Sequence, residues 1–339
     1  MRIAVYKDNL STGRGADRAV RNFAAGLAER GHDVALFEKA DLAARLGEKW
    51  DVIVATGSNE IVDLEDAGYF ARPGHAPVVL QLHLAPRGFF KWKHPFRNRR
   101  IRRAFNLADA AQVLCGSYES EFSRMAPHPR VVTIGNYTEM PAARETCPTG
   151  DAPATDRSII LYPAAAITKV KNQALLIRAF ALLAADFPDW RVRLLGRDDT
   201  AYASTCRRLV RKLKLEDRIE FVGFTRDLAA EYSRAKFVAF PSTLEGFPLA
   251  ILEAARFSLC SVGQRTLAGA EDIIQNGRTG LITEPCASAY ADGLRRLMVD
   301  PELRRRLGEG ARDFCAERYS REEILSQWER LLRRTACQR

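Results

Sequence analysis

The sequence predicts an α/β protein built from two parallel-sheet domains, and three observations carry that expectation. Short β-rich runs alternate with helical patterns, the alternation stops once and restarts, and 339 residues are too many for a single hydrophobic core. The first series of strands reads RIAVY, DVALF, DVIVA, PVVLQL, AQVLC and RVVTI, with the helical pattern ADRAVRNFAAGLAERG at 16–31 after the first. Between Tyr137 and Arg157 the periodicity ends, and TEMPAARETCPTGDAPATDR, rich in Pro, Ala, Thr and Gly, reads as a linker. The second series is SIILY, RVRLLG, RIEFVGF, FVAF, LCSVG and TGLIT. These breaks give an N-terminal domain at 1–140, a linker at 141–156, a C-terminal domain at 157–320 and a last helix at 321–339. That helix carries Ile324, Leu325, Trp328, Leu331 and Leu332 on one side, a stripe that must pack on another element. The expected partner is the N-terminal domain.

Composition narrows the class. At 47% hydrophobic and 28% charged residues the chain is ordinary globular material, and no apolar run approaches the roughly 20 residues that span a bilayer. MRIAVYKDN has too short an apolar segment for a signal peptide. Seven cysteines, at 115, 147, 206, 260, 286, 315 and 337, are odd in number, scattered and free of Cys-x-x-Cys spacing. The expectation is a cytoplasmic chain without structural disulfides or a zinc site.

The stretch VAFPSTLEGFPLAILEAA, at 238–255, places Glu245 and Glu253 around a Gly-Phe-Pro-Leu turn that leads into an apolar helix. A strand, a glycine-containing turn and a helix opening at Pro248 form an anion site, because first-turn amides and the helix dipole favour phosphate. Carboxylates beside a phosphate repel it unless they take the ligand's hydroxyls, and a sugar nucleotide has both groups. Taken alone, a solvated helix end with a first-turn acid is the commoner meaning of such a pair.

Several further motifs accompany this one in order: IGNY near 134–137, KNQALLIRAF from 171, GFTRDLAAEYSRAKFVAFPS, EGFPLAILEA and GAEDIIQNGRTGLI. Together they make residues 157–320 resemble the nucleotide-sugar domain of glycosyltransferase family 4, retaining enzymes of the two-domain GT-B fold, and the whole chain fits that layout. The Glu-x7-Glu spacing is the most specific of these signatures. The resemblance implies two Rossmann-like domains facing a cleft that holds the active site.

It also implies roles. Glu245 corresponds to the glutamate that approaches the transferred sugar, with the amides of Gly246, Phe247 and Leu249 holding sugar hydroxyls and diphosphate. Glu253 corresponds to the glutamate that takes the ribose hydroxyls, and Gly223 and Phe224 belong to the same donor site. Lys171 matches the family's phosphate-binding lysine. Many members carry an arginine five residues earlier, where this chain has Ala165, Ala166 and Ile167, so Lys169 is the candidate for the second charge. In the N-terminal domain His83 resembles the family's cleft histidine, and the loop STGRGADR, with Gly13 and Gly15, fits its glycine loop near the diphosphate and acceptor. As a dinucleotide fingerprint the loop lacks a third glycine. Each residue also has a plainer reading: a surface lysine for Lys171, a satisfied structural histidine for His83. Asp198 and Asp199 read as a loop with an N-cap, and Asp63 and Asp66 as a solvated turn.

From Ala67 to Ala108 the sequence has no acidic residue, and RGFFKWKHPFRNRRIRR packs eight Arg or Lys among Phe89, Phe90, Trp92 and Phe96. Arg87, Lys91, Trp92, Lys93 and Arg97 are candidates for an acceptor or membrane surface, with rings at headgroup level and cations on phosphates. Nucleic acid fits the same composition less well, and a solvated basic face is the plain alternative.

The reaction implied is transfer of a sugar from a nucleoside diphosphate, UDP- or GDP-linked, to a hydroxyl of a glycan, lipid-linked or anionic acceptor. The family mechanism is front-face and substrate-assisted, with retention and without a metal ion. Two alternatives stand beside it: a GT-B nucleotide-sugar epimerase or hydrolase, and a non-enzymatic membrane- or nucleic-acid-binding protein.

Overall fold

The structure is a computed structural model that describes residues 1–10, 15–89, 95–125, 128, 130–141, 158–266 and 269–337. It divides into two compact units: Met1–Tyr137 together with Tyr319–Arg339, and Thr138–Arg318. Most of the linker expected at 141–156 lies outside the described residues.

The first unit holds six parallel strands: β1 (Arg2–Tyr6), β2 (Asp33–Phe37), β3 (Val52–Ala55), β4 (Val78–Gln81), β5 (Ala110–Val113) and β6 (Val131–Thr133). Their order is β2-β1-β3-β4-β5-β6. The intervening helices are α1 (Gly15–Glu29), α2 (Leu42–Arg45), α3 (Ser58–Asp66), α4 (Pro86–Phe89), α5 (Pro95–Leu107) and α6 (Gly116–Met125). β1, β3, β4 and β5 are interior strands and almost fully buried, which explains their continuous apolar runs.

The second unit has the order β12-β11-β10-β7-β8-β9, again all parallel. Its strands are β7 (Ser158–Tyr162), β8 (Trp190–Leu195), β9 (Ile219–Gly223), β10 (Ala235–Phe240), β11 (Ser261–Gln264) and β12 (Gly280–Thr283). Its helices are α7 (Gln173–Ala181), α8 (Ala201–Lys212), α9 (Leu228–Arg234), α10 (Leu249–Arg256), α11 (Ala270–Ile273), α12 (Ala287–Val299) and α13 (Pro301–Arg318). In each sheet the strand order reverses once, between β1 and β3 in the first unit and between β7 and β10 in the second. Open α/β sheets bind ligands in the crevice at the carboxyl ends of the strands at such a point.

The last helix, α14 (Arg321–Ala336), returns to the first unit. Ile324, Leu325, Trp328, Leu331 and Leu332 enter one core with Ile3, Val5, Phe23, Leu27 and Val54. At about 1.5–3 kcal/mol for each large side chain taken from water, this stripe supplies the main force that docks the helix. Trp328 lies against Phe23 with ring centroids 4.6 Å apart. Gly26 on α1 allows the close approach, since a Cβ there would meet Leu325 Cδ1 at 2.8 Å. At the rim, Glu329 accepts hydrogen bonds from Arg30 at 2.9 Å and pairs with His32 Nε2 at 2.8 Å. The guanidinium of Arg30 is the larger cause that holds the Glu329 carboxyl down at about 2. The six described cysteines are free thiols.

Candidate active site

The site begins with the loop after β7. Asn172 adopts a left-handed conformation (φ 53°) and opens α7, and the amides of Lys171 and Asn172 both return to the Thr168 carbonyl. This tight turn holds Lys171 at the carboxyl end of β7. The loop after β10 is fastened to it, because the Thr243 amide and hydroxyl both donate to the Val170 carbonyl, at 2.8 and 3.1 Å. Two residues further, Glu245 Oε1 receives Lys171 Nζ at 2.6 Å. The Tyr162 hydroxyl, at the end of β7, donates to the Lys171 carbonyl at 2.7 Å and lies 2.8 Å from Ser242 Oγ, so the buried floor is also cross-braced. Lys171 and Glu245 therefore meet across the β7/β10 reversal. Their side chains keep 22% and 11% of their exposure, enough for a ligand to reach them from solvent.

Glu253 takes a different place. It lies on α10, 3% exposed, and its Oε2 accepts the Tyr232 hydroxyl of α9 at 3.0 Å. Two sequence expectations for this turn are corrected. Pro248 is the N-cap, not the first helical residue, since α10 starts at Leu249. The Leu249 amide is not aimed outward either, because it donates to the Phe247 carbonyl at 2.9 Å, and Phe247 itself is buried.

Lys169 stands apart from Lys171. It lines a cavity of about 520 Å³ with Arg178, Tyr202, Cys206 and Thr243, on the α7/α8 side of the loop. The stretch Ala165–Ile167, which lacks the expected arginine, pairs instead with Arg197. The Arg197 amide donates to Ala165 at 3.0 Å and the Ile167 amide to Arg197 at 2.8 Å. Arg197 was not singled out in the sequence, and only the bridge beside β7 and β8 brings it here. Gly223 ends β9 with φ +80°, and Phe224 beside it is 72% exposed. Asp198 pairs with Arg207, and Thr200 caps α8 by accepting from the Ala203 amide at 3.0 Å. Among the described residues no three His, Cys, Asp or Glu side chains form a group able to hold a metal ion.

The first unit has a counterpart that sequence reading missed. Lys7, just past β1, donates to Glu60 Oε1 at 2.6 Å and also to Asp8. Glu60 lies in the first turn of α3, after β3, so this pair crosses the β1/β3 reversal as Lys171 and Glu245 cross the other. Burial raises the Glu60 carboxyl and is only partly opposed by Lys7. Burial also works against the Lys7 charge, but the bonds to Asp8 and Glu60 outweigh it and leave Lys7 raised. A charged residue directly after a buried strand is the sequence signal that was available.

His83 follows β4. The residue keeps some surface, yet both ring nitrogens are out of solvent and have no hydrogen-bond partner among the described residues. Burial, assisted by the charge of Lys7, lowers its pKa to about 4. The imidazole is thus neutral at physiological pH, with one donor and one acceptor unspent. A satisfied structural histidine would have both ring nitrogens hydrogen-bonded. Gly15 opens α1, whereas Gly13, Lys91, Trp92, Lys93 and the side chain of Arg87 lie outside the described residues. Asp63 and Asp66 are not a solvated turn but part of α3. Asp63 accepts from Tyr6 Oη at 2.8 Å and Lys39 at 2.6 Å, while Asp66 pairs with Arg100 of α5. On α5, Arg97 is exposed and Phe96 is 88% exposed, whereas Arg103 pairs with Glu65 at 2.7 Å.

With this geometry in place, residues 150–314 match the family described as glycosyl transferases group 1. This part of the chain is similar to a glycosyltransferase domain. A curated relative, the exopolysaccharide phosphotransferase of Streptomyces coelicolor, is 35% identical over 46% of this chain and 16% of its own length. The N-acetyl-alpha-D-glucosaminyl L-malate synthase of Bacillus anthracis is 33% identical over 48% of this chain and 42% of its own. The chain thus spans less than half the length of these curated relatives. Among solved structures, that of Anabaena HepE in complex with UDP and glucose superposes with a TM-score of 0.81 at 19% identity, covering 98% of this chain and 100% of that one. The chain has the GT-B fold, and its domain family supports a transferase enzyme.

Proposed function

We propose that the protein is a retaining glycosyltransferase of family 4 that transfers a sugar from a nucleoside diphosphate to an acceptor hydroxyl. The observation that carries this reading is the Lys171–Glu245 pair, 2.6 Å long, at the strand reversal of a glycosyl transferases group 1 domain. The donor diphosphate takes Lys171 away from Glu245, whose carboxylate then accepts hydroxyls of the transferred sugar. Glu253, oriented by Tyr232, accepts the ribose hydroxyls. Gly246, Phe247, Gly223 and Phe224 border the same donor site.

Neither glutamate is read as a nucleophile, since one is engaged with Lys171 and the other is buried under Tyr232. The acceptor oxygen bonds to the anomeric carbon on the face from which the diphosphate departs, as the carbon–oxygen bond to that diphosphate breaks. The acceptor proton passes to the leaving diphosphate oxygen. Lys171 stabilises the charge that develops there, the kind of fixed electrostatic contribution that supplies most of the rate in such sites. Neutral His83 offers a hydrogen bond to the acceptor or the transferred sugar.

The acceptor is read as a glycan, a lipid-linked or another anionic molecule. An anionic acceptor is in keeping with the name of the Bacillus anthracis relative, which includes L-malate. Exposed Phe96 among the arginines of α5 supports contact with an anionic membrane surface, as rings and cations on one helix settle at headgroups. No helix among the described residues is long and apolar enough to cross a membrane. The test is incubation with UDP- and GDP-sugars and hydroxyl acceptors, read by mass spectrometry and by the anomeric coupling of the product. A glycosylated acceptor with the donor's α-configuration supports the proposal; free sugar without acceptor dependence sinks it.

A further inference from the structure

The return of α14 creates a cavity of about 450 Å³ between that helix and the edge strand β6. Arg130, Arg330 and Arg334 line it with Gln327, above Ile134 and Leu331. Gln327, Arg330 and Arg334 recur at helical spacing and so share one face of α14, while Arg130 reaches in from the start of β6. Two carboxylates stand nearby, one of them Glu119, which accepts from Thr133 of the lining at 3.1 Å. Glu323 accepts from Gln327 at 2.8 Å and from Arg330 at 3.3 Å, and the Arg130 and Arg334 side chains have no acceptor among the described residues.

Three arginines line one cavity and only Arg330 among them has a carboxylate partner, so their mutual repulsion is relieved by an anion that accepts from all three. A single charge on the outer strand would suffice to discourage edge pairing, so that role does not explain why α14 adds two more. Guanidinium forks match the oxygens of phosphate in pairs, and Gln327 adds a neutral donor. Leu331 and Ile134 supply an apolar floor for the carbon skeleton attached to such a group.

We infer that this cavity is a second ligand site of the protein, which binds a phosphate ester through Arg130, Arg330 and Arg334. It lies wholly within the first unit and is independent of the donor site around Lys171. The ester is either a free small molecule or the headgroup of an anionic lipid, and the chemistry of recognition is the same.

The test is calorimetric titration of glycerol 3-phosphate into the full chain, its Lys171→Ala variant and the Arg330→Ala/Arg334→Ala double variant. Saturable binding by the first two, weakened by at least about tenfold in the double variant, is expected from loss of charge-assisted bonds. Sedimentation with phosphatidylcholine vesicles containing phosphatidylglycerol separates the sources: arginine-dependent pelleting assigns the headgroup, and titration without pelleting assigns the free ester. All three arginines are exposed, so the fold should tolerate their loss, and Arg130→Ala repeats the test from the strand side. Absence of both saturable binding and arginine-dependent pelleting overturns the inference, as does binding that the double variant and Arg130→Ala leave unchanged.

Discussion

Lys171 Nζ lies 2.6 Å from Glu245 Oε1 across the point where the second sheet reverses its strand order. The pair brings together two loops 74 residues apart in the chain, and a donor phosphate and a donor hydroxyl would each claim one of its members. In Lys171→Ala the largely buried Glu245 loses its counter-charge, which should destabilise the fold by about 1–3 kcal/mol after discounting for residual exposure. Adding Glu245→Gln should restore most of that stability without restoring donor binding. Urea denaturation of the single and double variants measures the first effect, and nucleotide titration measures the second.

Tyr232→Phe removes the hydroxyl that donates to buried Glu253 Oε2 and to the Ala250 carbonyl, while keeping the ring stacked on Phe257. The expected cost is about 1–3 kcal/mol for a buried acceptor that loses a partner. If Glu253 holds the ribose, nucleoside diphosphate affinity should also fall by about tenfold, because the carboxylate loses its fixed orientation. An unchanged affinity in calorimetry, with a folded variant, would remove Glu253 from the donor site.

His83 makes stability depend on pH. Its folded pKa of about 4 lies below its ordinary 6.5, so the unfolded chain takes up the proton first as pH falls. The contribution is fully present above pH 6.5 and is lost as pH falls toward 4. Glu60, raised by burial, acts in the opposite sense, losing stability as pH rises through its folded pKa. The readout is therefore the difference between wild type and His83→Gln at each pH. The two denaturation curves should converge on acidification, and parallel curves would show that the imidazole is not held neutral.

Gly26→Ala should loosen α14. The new Cβ would lie 2.8 Å from Leu325 Cδ1 and 2.9 Å from Tyr137 Oη, whose hydroxyl already donates to the Asn22 carbonyl. Overpacking at that contact should cost about 1–3 kcal/mol, seen as a lower denaturation midpoint.

The strands were legible because burial on both faces writes itself as continuous apolar runs, RIAVY and SIILY among them. The stripe from Ile324 to Leu332 was equally plain, since five large apolar residues on one helix face need a partner. The Lys7–Glu60 pair was hidden for a different reason. It spans 53 residues, and nothing local says that β3 will lie beside β1. Asp63 of α3 was misread as solvated for the same reason, as its partner Tyr6 comes from β1. The Leu249 amide and the orientation of Lys169 depend on loop geometry that residue spacing does not encode. Glu245 and Lys171 could be singled out as residues, but their contact required the topology.

The measurement that bears most directly on the central claim is a calorimetric titration of UDP, GDP and their sugars into the wild type and Lys171→Ala. At a hundredfold excess over its Kd, the correct nucleotide should also stabilise the fold by about 2.7 kcal/mol. One nucleoside diphosphate should bind the wild type and bind Lys171→Ala at least about tenfold more weakly, as loss of a charge-assisted phosphate contact predicts. Binding of none of them, or equal binding by both proteins, would contradict the assignment of the Lys171–Glu245 crevice as the donor site.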